Sequence, residues 1–456
     1  MKLIYGVKDK PKFGQLIVFA IQQVLAIMAA TLAVPMIVGN GMSPAAALFG
    51  AGVGTIVYQL FTKFRSPVFL GSSFAFLGSM AIAFAGAASV AVGYVGLIFG
   101  ALCAALVYVI IAIIVKFAGV AWINRIMPAV VIGPTVAIIG LSLAGNAVGD
   151  LETADAGGSV YIAVICGLVT LAVTMCCSVY GKKIGKLIPF IIGIVAGYAV
   201  AAVFTVIGNA AGVDALKVID FSPFAELVAD GVTVSTFVSL PDFTFLEAFG
   251  GFSEVSLSYL GTIAVAYIPV AFVVFAEHIA DHKNLSTIIE HDLLEDPGLH
   301  RTLLGDGVGS FAGALFGGCP NTTYGESIGC VAITGNASVA TISACAVICM
   351  VIAFFSPFVA FLNTIPSCVM GGVCIALYGF IAVSGLKMIQ KVDLEDNKNL
   401  FVVSVILITG IGGMTLSFGT NSSGEALITI TEVACALILG ILTNLLLSGK
   451  KKNGTK

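Results

Sequence analysis

Apolar runs of about 20 residues recur along the chain, among them Leu16 to Val38, Val95 to Val115, Ile188 to Ile207, Val339 to Phe361 and Ile428 to Leu447. Each is long enough to cross about 30 Å of hydrocarbon as an α-helix. Read in order with the polar breaks between them, they predict an all-α polytopic membrane protein of about fourteen segments, with both ends on the same side. The first run follows a short basic stretch, MKLIYGVKDKPKF, yet it is too long for a signal-peptide core and lacks a small-residue cleavage site. It is expected to be retained.

Two stretches break the rhythm, SPVFLGSSFAFLGSM (Ser66 to Met80) and FGGCPNTTYGESIG (Phe316 to Gly329). Both are rich in Gly, Pro, Ser and Thr. If the chain is two repeats of seven segments, each stands third in its repeat (segments 3 and 10), and an odd number of crossings per repeat makes the repeats inverted. Non-helical backbone at membrane depth survives only where protein buries it or where it lines a cavity. Paired interruptions at matching positions therefore point to a transporter's binding site. The half-helix after each break aims unpaired N–H groups and partial positive charge at the bilayer centre.

Composition sharpens this picture. Of 456 residues, 59% are hydrophobic and only 10% charged, against about 25% charged in soluble domains. No water-soluble surface can be built from that. The net charge of -3 says less than where the charges fall. Lys2, Lys8, Lys10, Lys12, Lys63, Arg65, Lys116, Arg125, Lys182, Lys183, Lys186, Lys283, Arg301, Lys387, Lys391, Lys398 and Lys450 to Lys452 all fall on one predicted face. Asp150, Glu152, Asp155 and an acidic loop, 209–256, with Lys217 as its single base, fall on the other. The positive-inside bias makes the basic face, with both termini, cytoplasmic. The eleven cysteines lie mostly in apolar runs, without metal-binding spacing, and the 53 glycines suit close helix packing in lipid.

The chemistry concentrates in FAEHIADHKN (Phe275 to Asn284), which follows the apolar YIPVAFVVF. An ionisable residue inside a span costs about 2.5 to 3.5 kcal/mol on insertion scales, so it is read as functional. Glu277 and Asp281 lie four residues apart on one helical face, where a proton can be shared between them. Phe74 and Phe76 from the first break join them, with Tyr324 and Glu326 from the second. Together they match a planar ligand bearing both N–H and C=O groups: carboxylates accept, backbone N–H donates and a ring stacks. His278 is read as structural, His282 as near the cytoplasmic boundary, and Asp306 as packing against the broken helix. Glu432 is read as a hydrogen-bonded acid inside the last bundle segment, Trp122 as an interface anchor, and His291 and His300 as solvated. An enzyme is not expected. HExxH is absent, a metal site on His278, Asp281 and His282 lacks a further ligand, and no GxxxxGK[ST] stretch offers ATP drive. A channel or anion carrier on a similar fold is disfavoured by the two converging acids.

The run from Phe275 to Thr334 closely resembles the nucleobase-ascorbate transporter family, in its uracil-carrying branch. The family signature is a Glu, Gln or Pro, then Asn, any residue, Gly, four residues, Thr, then Arg, Lys or Gly. ESIGCVAITG (Glu326 to Gly335) meets it with one departure, Ser327 for Asn, and GSSFAF (Gly71 to Phe76) matches the first-half element. The resemblance implies fourteen segments in two inverted repeats. It also implies a core domain, residues 1–118 (segments 1 to 4) and 257–365 (segments 8 to 11). A gate domain takes residues 119–256 (segments 5 to 7, with the external acidic loop) and 366–456 (segments 12 to 14, with a basic tail). It further implies a homodimer embedded in lipid, its core sliding against its gate. Carried over residue by residue, substrate contacts fall on Glu277, Glu326, Phe74, Tyr324, Gly325 and Ala30, and proton coupling on Asp281, Glu277 and Glu326. Asp281 stands where uracil carriers can have His and purine carriers have Asp, which leaves xanthine or urate as the alternative cargo; Glu326 leans to uracil. The expectation is uracil import at the cell membrane coupled to a cation, a proton ahead of sodium, with no cofactor, metal or nucleic-acid partner.

Overall fold

The computed structural model describes residues 3–448 apart from 120, 183, 230 and 421–425, so Lys2, Lys183 and Lys450 to Lys452 of the basic face lie outside the described residues. The first half runs α1 (Phe13–Val38), α2 (Pro44–Phe61), β1 (Leu70–Ser72), α3 (Leu77–Ala85), α4 (Val90–Ala118), α5 (Ala121–Ile126), α6 (Ala129–Ser142), α7 (Ala144–Leu151), α8 (Val160–Tyr180), α9 (Ile184–Leu187) and α10 (Pro189–Ala211). Short helices α11 (Ser222–Glu226) and α12 (Thr244–Glu247) occupy the acidic connection. The second half runs α13 (Leu257–Ile289), α14 (Leu299–Gly317), β2 (Asn321–Thr323), α15 (Gly325–Thr334), α16 (Val339–Ile352), α17 (Ser356–Asn363), α18 (Ser367–Ile389), α19 (Asn397–Ile411), β3 (Leu416–Thr420), β4 (Ala426–Ile430) and α20 (Glu432–Leu447). Among the described residues, eight helices are long and apolar enough to cross a membrane, and four shorter apolar helices accompany them.

Local chemistry sets many helix boundaries. Ser43, Ser89 and Ser256 each accept a backbone N–H of the first turn of α2, α4 and α13, satisfying donors that a helix leaves unpaired. Thr205 Oγ1 does the same service for the acidic connection, accepting both Val218 N and Ile219 N at 3.0 Å. On the basic side, the Arg65 guanidinium bonds Asp296 at 2.8 Å and holds that exposed carboxyl below its ordinary range.

Three expectations are corrected here. The run Ile428 to Leu447 is not one span: Ile428 to Ile430 form the end of strand β4, paired antiparallel with β3, and the helix begins at Glu432. The alternating β-branched residues Ile428, Thr429, Ile430 and Thr431 fit a pleated surface better than a helix. Glu432 accordingly stands in the first turn of α20, where a negative charge suits the helix dipole, and not inside the last segment. The run Val339 to Phe361 is likewise divided into α16 and α17. Phe355 between them bridges to Val238 and Pro357 opens the new helix.

The two breaks meet. β1 and β2 pair antiparallel, with Leu70 opposite Thr323, Gly71 opposite Thr322 and Ser72 opposite Asn321, and Ser73 N donates to Pro320 O at 2.9 Å. Every residue of both strands is buried, so the unwound backbone satisfies itself inside protein, as a hydrocarbon setting demands. Helices α2 and α14 cross beneath them at glycines. A Cβ on Gly50 would stand 2.4 Å from Gly313 O, and one on Gly54 2.6 Å from Gly309 O. Asn321 reaches into this seam, donating to Gly50 O at 3.2 Å. Helices α1 to α4 pack largely with α13 to α16, whereas α6 to α10 pack largely with α18 to α20.

Candidate substrate site

The site assembles where α1, β1, β2, α13 and α15 converge. Helix α13 presents Glu277 and, one turn on, Asp281; both are half-buried. Glu277 is close enough to Asp281, Glu326 and Asp306 for their charges to interact. Asp281 is tied down, its Oδ2 accepting the Thr323 hydroxyl at 2.6 Å. That bond fixes the helix carrying the acids to the strand that leads into the second half-helix.

Helix α15 begins at Gly325, with extended Tyr324 as its N-cap. Glu326 is half-buried in its first turn beside an exposed Gly325, so the unpaired N–H groups of that turn and a carboxylate share one opening. Tyr324 is buried and donates its hydroxyl to Ser72 O at 2.8 Å. Its ring lies where a Cβ on Gly71 would come within 2.4 Å, which is why GSSFAF begins with glycine. Ser327 is fully buried; both its backbone oxygen, at 3.3 Å, and its hydroxyl accept from Gln23 Nε2 of α1.

Phe74 is 7% exposed and meets the ring of Tyr378 edge-on, centroids 5.5 Å apart at 80°. Tyr378 belongs to α18, so this pair joins the two packing groups. Phe76 turns the other way and stacks on Tyr267, centroids 5.4 Å apart at 25°; it belongs to the interior, not to the opening. Ala30 is fully buried on α1, which runs against β1 and α15.

The histidines behave differently from one another and in part from expectation. His278 is fully buried, donating through Nδ1 to Asp306 Oδ2 at 2.7 Å while Nε2 lies 3.0 Å from Thr302 Oγ1. His282 is fully buried. It donates through Nδ1 to His278 O at 2.8 Å and takes Tyr58 OH at 2.8 Å on Nε2, its ring stacked on His278 at 4.0 Å. At 1.5 Å per residue the 33 residues of α13 extend about 50 Å, and neighbours pack against it along that length. Asp306 serves His278 through one oxygen while the other has no hydrogen-bond partner among the described residues, and with Tyr108 and Asn321 of β2 it lines a 10 Å³ cavity, so it borders the second break. His291 is exposed and hydrogen-bonded to Asp296 O at 2.9 Å; His300 is half-buried. Trp122 packs half-buried against the main core.

Sequence reasoning missed Gln23 and Tyr378. The pair Gln22 and Gln23, polar in the middle of apolar α1, was a readable signal; Tyr378 in α18 had none. Gln23 is buried and binds Ser327, the departure from the family signature, so an amide from another helix fastens that position.

A sequence profile described as Permease family matches residues 14–418. The chain is 37% identical to "Uracil permease" of Bacillus caldolyticus, with 98% of this chain and 96% of that protein covered. It is 37% identical to "Uracil permease" of Bacillus subtilis (strain 168), covering 99% and 97%, and 32% identical to that of Escherichia coli (strain K12), covering 96% and 94%. Among solved structures it resembles the transmembrane domain of a cyanobacterium bicarbonate transporter BicA, at TM-score 0.59 and 13% identity, covering 96% and 100%. Murine Slc26a9, an anion transporter in the inward-facing state, resembles it at TM-score 0.60 and 11% identity, covering 96% and 69%. These two likenesses concern the fold: that of membrane transporters.

Proposed function

Because this chain belongs to the permease family, whose members are transporters and not enzymes, we propose that it imports uracil across the cell membrane together with a cation, a proton ahead of sodium. The observation that carries the reading is that the half-buried Glu277 and Glu326 are near enough for their charges to interact, beside the half-helix that starts at Gly325, while the β1–β2 pairing brings the first break, with Phe74, against the second. Uracil is a flat ring whose edge alternates N–H and C=O. The two carboxylates accept its N–H groups, the free N–H groups of the first turn of α15 donate to a C=O, and Phe74 supplies a face to stack on. Gly325 leaves its side of the ring unobstructed, and Tyr324 and Ala30 offer backbone.

Coupling follows from charge. Three carboxylates, Glu277, Asp281 and Glu326, occupy one small region, and moving them across hydrocarbon fully ionised is costly. A proton taken up with uracil neutralises one of them, so the loaded carrier crosses more readily than one holding uracil alone. A potential of 100 mV then supplies about 2.3 kcal/mol per charge, enough for accumulation of tens-fold. The two helix packing groups are read as a core, residues 1–118 and 257–365, moving against a gate, residues 119–256 and 366–456, in a homodimer whose termini face the cytoplasm. Asp281, the residue usual in purine carriers, supports a second reading with xanthine or urate as cargo.

The test is uptake of radiolabelled uracil into proteoliposomes with imposed pH, sodium and voltage gradients. Saturable accumulation that follows the pH gradient and is unmoved by a sodium gradient is the expected result. Uptake that never saturates overturns the carrier reading, and stronger inhibition by unlabelled xanthine than by unlabelled uracil transfers the assignment to purines.

A further inference from the structure

A second cavity lies away from the acids, at the far end of α1 from the N-terminus. It measures 310 Å³ and is lined by the α1–α2 connection and the end of α17 on one side and by α7 and the start of α18 on the other, so it lies on the seam between the two packing groups. Its size falls at the lower end of small-molecule sites. The polar groups in it are few and unequal. Asp155 nearby is consumed, accepting Ser367 N at 2.5 Å and Ser367 Oγ at 2.8 Å as the cap of α18. Asp150 and Asn363 are not: the half-buried Asp150 carboxylate and the exposed Asn363 amide both line the cavity, and among the described residues neither side chain meets a hydrogen-bond partner. Three methionines, Met36, Met42 and Met370, line the same cavity, polarisable side chains that favour contact with aromatic rings.

A lone carboxylate, a lone amide and thioether walls make a small-scale counterpart of the chemistry at Glu277 and Glu326: one strong acceptor, one group that both donates and accepts, and a surface for a flat ring. A metal cation is a poorer match, since it calls for several converging oxygen ligands. Tyr378, the partner of Phe74, lies eight residues beyond Met370 on α18 and so about 12 Å deeper. We propose that this cavity is a loading site for the same planar, N–H and C=O bearing base, which rests there against Asp150 and Asn363 before it passes the Phe74–Tyr378 pair. The inference rests on the proposed nucleobase transport and adds a residence site for the cargo outside the acids of α13 and α15. Because its two walls come from different packing groups, the site exists only while they hold this relative position.

The experiment compares directions. In intact cells, Asp150→Asn is expected to raise the half-saturating external uracil concentration about tenfold, the equivalent of one hydrogen bond to a charged group, and Asn363→Ala about fivefold, that of a neutral one, with maximal rate unchanged. The half-saturating concentration for efflux from preloaded vesicles stays at the wild-type value. A second readout is independent of transport. Uracil at millimolar concentration protects an Asn363→Cys chain from a membrane-impermeant maleimide, read against the parent chain as blank, and does so equally when Glu277→Gln removes the deep site. An equal rise in both directions, no rise in either, or protection that vanishes with Glu277→Gln overturns the loading site while leaving the deep site standing. A wild-type chain that moves no nucleobase overturns the functional reading and this inference with it.

Discussion

At the scale of single residues, the acids can be told apart by what already holds them. Asp281 has a partner in Thr323 at 2.6 Å, whereas Glu326 stands half-exposed at the first turn of α15 with no neighbouring hydroxyl assigned to it. Glu326→Gln presents an amide donor to a ring N–H and is expected to lower uracil affinity by at least tenfold, the cost of an unmatched buried polar contact. Thermal-shift titration with uracil checks it, and an unchanged midpoint shift sinks the assignment. Asp281→Asn keeps a hydrogen-bond acceptor for Thr323 but removes a titratable group. Uracil exchange across the membrane is expected to persist while accumulation driven by a pH gradient falls to the equilibrium level. If exchange, accumulation and melting temperature decline together, Asp281 is a structural tie and not a coupling group.

At the scale of elements, glycine contacts decide which helices can approach. Gly50 meets the backbone of Gly313 where no Cβ can fit, whereas Gly145 on α7 has nothing within 4 Å of its would-be Cβ. Gly50→Leu is therefore expected to destabilise the folded chain in detergent by about 3 kcal/mol or more, and Gly145→Ala to leave it unchanged or gain a fraction of a kcal/mol from helix propensity. Melting curves of the two variants, read side by side, check the difference; equal midpoints would mean that the α2–α14 seam yields freely. The same contrast shows what a sequence can announce. The two breaks were legible because Gly, Pro, Ser and Thr crowd into runs where lipid forbids irregular backbone, and their matching places in two seven-segment halves paired them. The hairpin β3–β4 was not, since an apolar β-branched run reads equally as strand or span until a partner is seen. Gln23 and Ser327, 304 residues apart, and Phe74 and Tyr378, from opposite halves, meet only through the fold.

At the scale of the whole molecule, the claim is that two helix groups move past one another. The outer cavity offers the place to test it, because Met36 at the end of α1 and Met370 in the first turn of α18 line it from opposite groups. Replacing both by cysteine and bridging them with a short, reductively cleavable bis-maleimide fixes the groups in the relation described above. Equilibrium binding of uracil to the bridged protein is expected to stay near its unbridged value if the acids of α13 and α15 remain open in this position, because neither methionine belongs to that site. Net uptake and exchange are both expected to stop, and cleavage of the bridge to restore them. Each single-cysteine chain, treated identically, isolates the bridge from mere labelling of the eleven native thiols, of which Cys176 is exposed. Full-rate uptake through a bridged carrier would mean that the cargo passes without relative movement of the groups. Alternating access would then have to be sought within one group, at the half-helices α3 and α15, where the β1–β2 pairing can open without disturbing the seam.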